Sequence, residues 1–233
     1  MIKCEILSSS SKGNCIIVND YIMLDCGLPY SKIKKYLDHV KIIFIGHSHS
    51  DHFNKTTIHK IAYEKPNIKF IVGNFMVANL VLAGVNKRNI ITFDTGKWYD
   101  IGVFRVKMDY LFHDVPNNSL HIQFNNGEKL FYATDTCRID HIKAPNYTLY
   151  LIEANYFTDA ELIEKIKEEE EKGEYSYLRR VLTTHLSQLQ ALNWLDKNKS
   201  DESEFCFIHQ HIDKEVKNVC LEEDSQTQQR RSF

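Results

Sequence analysis

Gly46-His47-Ser48-His49-Ser50-Asp51-His52 sets four potential metal ligands within six residues. It follows residues 40–45, a nearly continuous apolar run of the kind that forms a strand covered on both faces. A near-extended loop turns alternate side chains the same way, so His47 and His49 can share one ion. A bend into a helix beyond them lets Asp51 and His52 reach a second ion beside it. Neutral imidazoles with one carboxylate suit Zn²⁺, and also Mn²⁺ or Fe. The plain alternative is a polar surface loop. The chain carries 11 histidines, and imidazole is the commonest metal ligand.

The remaining composition bounds the fold. A chain of 233 residues is one large domain or two small ones, and 43% hydrophobic with 26% charged is globular usage. Lysine and arginine total 29 against 31 aspartates and glutamates. A net charge of −2 argues against a broad basic face for coating nucleic acid and leaves room for a local groove. No apolar run approaches the ~20 residues of a membrane span, and the start lacks the apolar stretch of a signal peptide. The expectation is a cytoplasmic protein with no membrane partner. Six cysteines, at 4, 15, 26, 137, 206 and 220, form no CxxC pair and read as core thiols. With no repeat and no linker, one domain is expected over 1–221, followed by a loose polar tail over 222–233.

Periodicity predicts strands over 3–7, 15–18, 21–24, 40–45, 68–72, 90–93, 100–107, 108–112, 120–124, 129–133, 147–152 and 204–208. Helices are predicted over 31–39, 55–65, 75–83, 159–172, 187–197 and 213–220. Residues 8–14 read as a polar loop. Asn19-Asp20 and Asn125-Asn126-Gly127 are hairpin turns. Two sets of strands mixed with helices define an α/β fold, and suggest two sheets face to face with helices outside.

The motif and its surroundings resemble the metallo-β-lactamase fold superfamily over most of the chain, which implies a four-layer αββα sandwich. Further pieces appear in that family's order. Asp25, in Met23-Leu24-Asp25-Cys26-Gly27, is similar to the aspartate that braces the metal loop. His113 is similar to the third histidine of the first ion, and Asp135 to the carboxylate bridging both. Two late histidines, His185 before a helix and His209 after a strand, match the phosphodiesterase branch typified by tRNase Z. There the earlier acts near the scissile phosphate and the later binds metal. Glu153 resembles an acidic position this branch places between them. The resemblance therefore assigns His47, His49, Asp51, His52, His113, Asp135 and His209 to two divalent ions, Zn²⁺ or Mn²⁺. It assigns Asp51 and His185 to catalysis. Which of His185, His209 and His211 completes the second site stays open. Gly46 stands where Thr or Ser is commoner, and His209 lacks the Ser that often follows.

Spacing narrows the branch. Asp135 lies 22 residues after His113, too few for the tRNA-gripping arm of tRNase Z. His185 lies 50 residues after Asp135, too few for the extra domain of β-CASP nucleases. What remains resembles small bacterial exonucleases and compact cyclic-nucleotide phosphodiesterases, in which residues 8–14 match a common Ser-Ser-Gly-Asn turn. The implied reaction is hydrolysis of a nucleotide phosphodiester, of a cyclic nucleotide or a DNA or RNA end, by a hydroxide shared between the ions. Lys12, Arg138, Arg179 and Arg180 are candidate phosphate contacts. The same fold also cleaves lactones and thioesters, and a non-catalytic metal-binding module is a third reading. The resemblance further implies a homodimer.

Overall fold

In the N-terminal half, β1 (Cys4–Ser10), β2 (Gly13–Val18), β3 (Ile22–Leu24), β4 (Ile42–Ile45), β5 (Lys69–Val72) and β6 (Ile90–Thr92) pair in sequence order. The first three run antiparallel and β3 to β6 run parallel. Crossovers between the parallel strands carry α1 (Tyr30–Ile33), α2 (Lys55–Glu64) and α3 (Val77–Leu82). This computed structural model describes residues 1–210. The expected helix over 213–220, the tail over 222–233, His211 and Cys220 lie outside the described residues.

The second half adds β7 (Tyr99–Asp100), β8 (Phe104–Lys107), β9 (Tyr110–Leu111), β10 (Asn117–Asn118), β11 (Leu120–Phe124), β12 (Lys129–Ala133) and β13 (Leu149–Glu153). It ends with α4 (Asp159–Glu171), α5 (Leu178–Thr184), α6 (Gln188–Asn198) and β14 (Glu204–Ile208). The second sheet has the order β14-β13-β12-β11-β8-β7, with β12, β13 and β14 parallel. The short β9 and β10 pair with each other outside it.

Strand alternation sorts side chains into layers. Ile22, Leu24, Ile42 and Phe44 of the first sheet meet Ile122, Leu130, Tyr132 and Leu151 of the second in one buried core. On the first sheet's other face, Met23, Ile43 and Ile45 pack with Ile33, Ile58, Ile61 and Leu80 from its helices. On the second sheet's outer face, Phe131, Tyr150 and Ile152 pack with Ala191, Trp194 and Leu195 of α6. The result is the four-layer αββα sandwich. No described helix is long and apolar enough to cross a membrane.

Several elements differ from the sequence expectation. Residues 8–14 are not a loop: Ser8, Ser9 and Ser10 pair with Cys15, Asn14 and Gly13, and only Ser11-Lys12 turns. The ladder's backbone hydrogen bonds outweigh the weak strand propensity of serine. The strand expected over 100–107 is a hairpin, because Gly102 takes φ 90° and folds β7 onto β8. The helix over 31–39 shortens to α1 followed by one 3₁₀ turn. The α5 helix was unexpected; its Leu178, Val181 and Leu182 form a small cluster with Leu162 and Ile166 of α4.

The Phe44 ring is fully buried between the sheets, edge-on to Tyr132 at 6.1 Å. Phe44→Ala should cost about 3–5 kcal/mol of stability in urea unfolding. A loss below about 1 kcal/mol would contradict this packing of sheet on sheet.

Candidate metal centre

The parallel strands of both sheets end at one edge, where open α/β folds place ligand sites. Asp25 follows β3, His47 lies just beyond β4, Asp135 follows β12, Glu153 ends β13 and His209 follows β14. Asp25, Asp135 and His209 adopt left-handed backbone, at φ 57°, 56° and 51°. Such strain in non-glycine residues gathers at functional sites and turns their side chains off the strand path. Asn117 fixes one of these turns: its Nδ2 donates to the carbonyls of Thr134 and Asp135, both at 2.8 Å.

The metal loop is held from below. Asp25 Oδ1 accepts from the Gly46 amide at 3.0 Å. Its Oδ2 lies 2.6 Å from His52 Nδ1 and accepts from the Tyr132 hydroxyl at 2.5 Å. A turn closes the loop, with the Phe53 amide donating to the His49 carbonyl at 2.7 Å, and α2 starts only at Lys55. Gly46 is required because a Cβ there would meet Asn117 Oδ1 at 2.8 Å and the Asn118 carbonyl at 3.2 Å. Gly27 is pressed harder, with a Cβ position only 1.7 Å from the Asp51 carbonyl oxygen.

Four ligand groups result, each with its atoms within 4.8 Å of one another. His47, His49 and His113 form one; Asp51, His52 and His209 form another. Asp135 joins His47 and His52 in a third, and joins Glu153, His185 and His209 in the fourth. The structure thus brings together every expected ligand among the described residues, with Asp135 between the sets. Glu153 and His185 stand at the same edge.

Most of these imidazoles have one nitrogen braced, leaving the other for the centre. His113 Nδ1 donates to the Thr184 carbonyl at 3.0 Å, and its Nε2 lies 3.3 Å from His49 Nδ1. His185 Nδ1 donates to Glu153 Oε1 at 2.5 Å, while Glu153 Oε2 accepts from the Thr136 amide at 2.9 Å. His209 Nδ1 donates to Asn14 Oδ1 at 3.2 Å, and its Nε2 lies 3.4 Å from Asp135 Oδ1. His52 Nε2 lies 3.0 Å from Asp135 Oδ2 and 3.2 Å from Asp51 Oδ2. Such bracing fixes ring orientation and tautomer.

His47 is the exception. It is fully buried, and neither ring nitrogen has a hydrogen-bond partner. Burying an unpaired polar group costs on the order of 1–3 kcal/mol. A divalent ion on one of those nitrogens relieves half of that deficit, so the residues present fit a metal. Burial, aided by His52, drives the His47 pKa far down, so the ring is neutral as a ligand must be. Burial also opposes charge on His52, yet Asp135 and Asp25 outweigh it and hold its pKa well above the ordinary value. Against burial, His209 and His52 hold Asp135 well below the usual carboxylate range.

Sequence reasoning missed three residues here. Asn14 Nδ2 lies 3.2 Å from Asp51 Oδ2 and 2.9 Å from His52 Nε2, and its Oδ1 meets His209, so one amide touches three candidate ligands. Asn117 and Tyr132 act through backbone and Asp25. The Asn-Asn pair beside a strand was a visible signal for the first, and Tyr132 had none. The candidate arginines separate. Arg180 lines the cavity over the centre, together with Tyr177, Val181 and Thr184 of the α5 region. Arg179 instead pairs with Glu170 through both carboxylate oxygens, at 2.5 and 2.8 Å, and does not line that cavity. Arg138 pairs with Asp140, and Ser11, next to Lys12, lines the cavity where Lys12 does not. A larger cavity, about 670 Å³, lies against Trp194 and contains none of the ligand groups.

Gly27→Ala should destabilise the protein by about 1–3 kcal/mol and weaken its uptake of divalent ions, read by unfolding and chelator competition. Unchanged values in both would contradict the close approach of Gly27 to the metal loop.

A family description, "Beta-lactamase superfamily domain", matches residues 22–210. Cytidine monophosphate-N-acetylneuraminic acid hydroxylase of Sus scrofa is 28% identical over 116 residues, 47% of this chain and 26% of that protein. The same-named protein of Gorilla gorilla gorilla is 30% identical over 103 residues, 42% of this chain and 17% of its own length. The chain therefore spans about a quarter or less of these curated relatives. Among solved structures, the metallo-beta-lactamase fold protein YhfI from Bacillus subtilis superposes with TM-score 0.68 at 16% identity, covering 91% of this chain and 87% of that one. Human tRNase Z, short form, gives 0.61 at 16%, covering 90% and 92%. A diphosphatase of the PhnP family gives 0.57 at 10%, covering 90% and 87%. At these identities the structural likeness is one of fold.

Proposed function

The chain belongs to the beta-lactamase superfamily, and from that premise we propose that it is a di-metal hydrolase cleaving the phosphodiester of a nucleotide substrate. The observation that carries this reading is His185. It is braced by buried Glu153 and stands 3.7 Å from Asp135 Oδ1, lining the same cavity as Arg180.

His47, His49 and His113 would hold one ion, Asp51, His52 and His209 the other, with Asp135 between them. Bound there, divalent ions make water a nucleophile at neutral pH and polarise phosphoryl oxygens. The chain's own residues do the rest. Glu153 opposes the effect of burial and raises the His185 pKa above its ordinary value, which favours the protonated ring that a leaving oxygen needs. Arg180 offers a planar cation to a non-bridging phosphate oxygen. The reacting carbonyl of a lactone or thioester, unlike a phosphodiester, carries no charge for that cation to meet before attack. The cavity over the centre, about 230 Å³, is below the roughly 300–1,000 Å³ that enclose a drug-sized ligand. A cavity of that size would enclose only the reacting part of a nucleotide, and the half-exposed Tyr177 in its lining would supply a ring face for a base. The tRNase Z and diphosphatase names among the structural neighbours make phosphate esters the first class to test.

The test is a hydrolysis panel in Mn²⁺ and in Zn²⁺: 3′,5′-cyclic nucleotides, 5′-phosphorylated duplex DNA, single-stranded RNA, and a lactone and a thioester. The expected result is turnover of at least one phosphodiester, none with Asp51→Ala, and turnover reduced about 10²–10⁴-fold with His185→Ala at normal metal content. A metal-loaded protein that opens only the lactone or thioester would overturn the phosphodiester reading. Loss of one ion from His185→Ala would exchange the roles of His185 and His209.

A further inference from the structure

The cavity over the centre is too small for a whole nucleotide, and a second cavity adjoins it. This groove, about 410 Å³, is lined by the β13–α4 turn, α4 and the start of α5, and it shares Tyr177 and Val181 with the first. The two together fall within the roughly 300–1,000 Å³ that enclose a small ligand. Asn155, also in the lining, donates from Nδ2 to the His209 carbonyl at 3.0 Å, so the groove borders a candidate metal ligand. Leu162 and Leu178 add apolar surface. Phe157 and Tyr177 stand in the same lining at 48% and 55% exposure. Apolar and aromatic surface left open and gathered at a cavity marks a binding groove. The charged groups there, Glu161, Lys165 and Glu169, count two acids to one base. That balance disfavours a phosphate and admits an uncharged ring.

We propose that this groove is a base subsite: with the phosphodiester at the metal centre, one nucleobase lies in the groove against Phe157 and Tyr177. The inference rests on the phosphodiesterase reading above and deepens it, since it sets the recognised unit at a single nucleotide. The division of labour follows from charge. Arg180 lines the cavity over the centre and not the groove, so the cation meets the phosphate and the aromatic rings meet the base. Every base has a ring face, so stacking supplies affinity with little choice among bases. A phosphodiester without a base forgoes that contact and keeps the rest.

The test compares two esters on the metal-loaded full-length protein: p-nitrophenyl thymidine 5′-phosphate and methyl p-nitrophenyl phosphate. Both release p-nitrophenolate from a phosphodiester, and only the first carries a base. The wild type should favour the nucleoside ester in kcat/KM by about 10-fold or more, chiefly through KM. Phe157→Ala and Tyr177→Ala should each lower that ratio by about 5-fold or more. Phe157→Tyr keeps a ring and should restore it. Tyr175→Ala, at a residue 93% exposed and in neither lining, should leave the ratio unchanged. Equal kcat/KM for the two esters in the wild type would overturn the subsite with the phosphodiesterase reading intact. A ratio unmoved in Phe157→Ala, whether or not Tyr177→Ala lowers it, would overturn the subsite in the same way. A metal-loaded wild type that turns over neither ester would overturn both.

Discussion

The Asp25 carboxylate is the joint on which the rest of the molecule turns. It leaves β3 in left-handed backbone and is fully buried. One oxygen takes the Gly46 amide at the start of the metal loop, and the other takes the Tyr132 hydroxyl from the opposite sheet and faces His52. A single anion therefore fixes three things at once: the exit of the loop from β4, the approach of the two sheets, and the ring of a candidate ligand. Its charge is balanced inside the protein by His52, whose pKa it helps to raise against burial. Buried charges persist only when paired and hydrogen-bonded in this way.

From that joint the site assembles by convergence. Parallel strands in both sheets point their carboxyl ends at one edge. The β1–β2 hairpin reaches across with Asn14, and the β9–β10 pair reaches in with Asn117 and carries His113 and Asp114 just beyond it. Nearly every imidazole ends with one nitrogen spoken for by protein and the other directed inward. His47 alone has neither, and the cost of that orphaned ring is the clearest physical sign of what the centre is built to hold. Asp51, Asp114, Asp135 and Glu153 gather enough negative charge around it to suit cations.

Legibility in the sequence followed locality. The four candidate ligands of the loop after β4 stand within six residues, so their pattern was visible without any tertiary information. Asp25, His113, Asp135, His185 and His209 became visible as a set only through their resemblance to the order of such residues in the family. Asn14 did not: its partner His209 is 195 residues away, and only the fold makes them neighbours. Tyr132 looked like any strand aromatic, since the reason for its hydroxyl lies in the other sheet. The α/β class and β14 were read correctly from periodicity, and the four-layer arrangement from the family resemblance. Misreadings fell where one residue's backbone decides the outcome, as at Gly102, or where register overrides propensity, as at Ser8, Ser9 and Ser10. The α5 helix, only seven residues long, has too short an apolar stripe to stand out, yet it carries the cavity wall. Net charge −2 likewise says nothing of Arg180 at the mouth.

The central claim is that two ions share Asp135. Anomalous diffraction from crystals grown with Mn²⁺ tests it most directly. Two peaks should appear on either side of the Asp135 carboxylate, one against His47, His49 and His113 and the other against Asp51, His52 and His209. Their separation should be ~3.5–4 Å, as in other two-metal hydrolytic centres. A single peak, or peaks away from Asp135, would contradict the account.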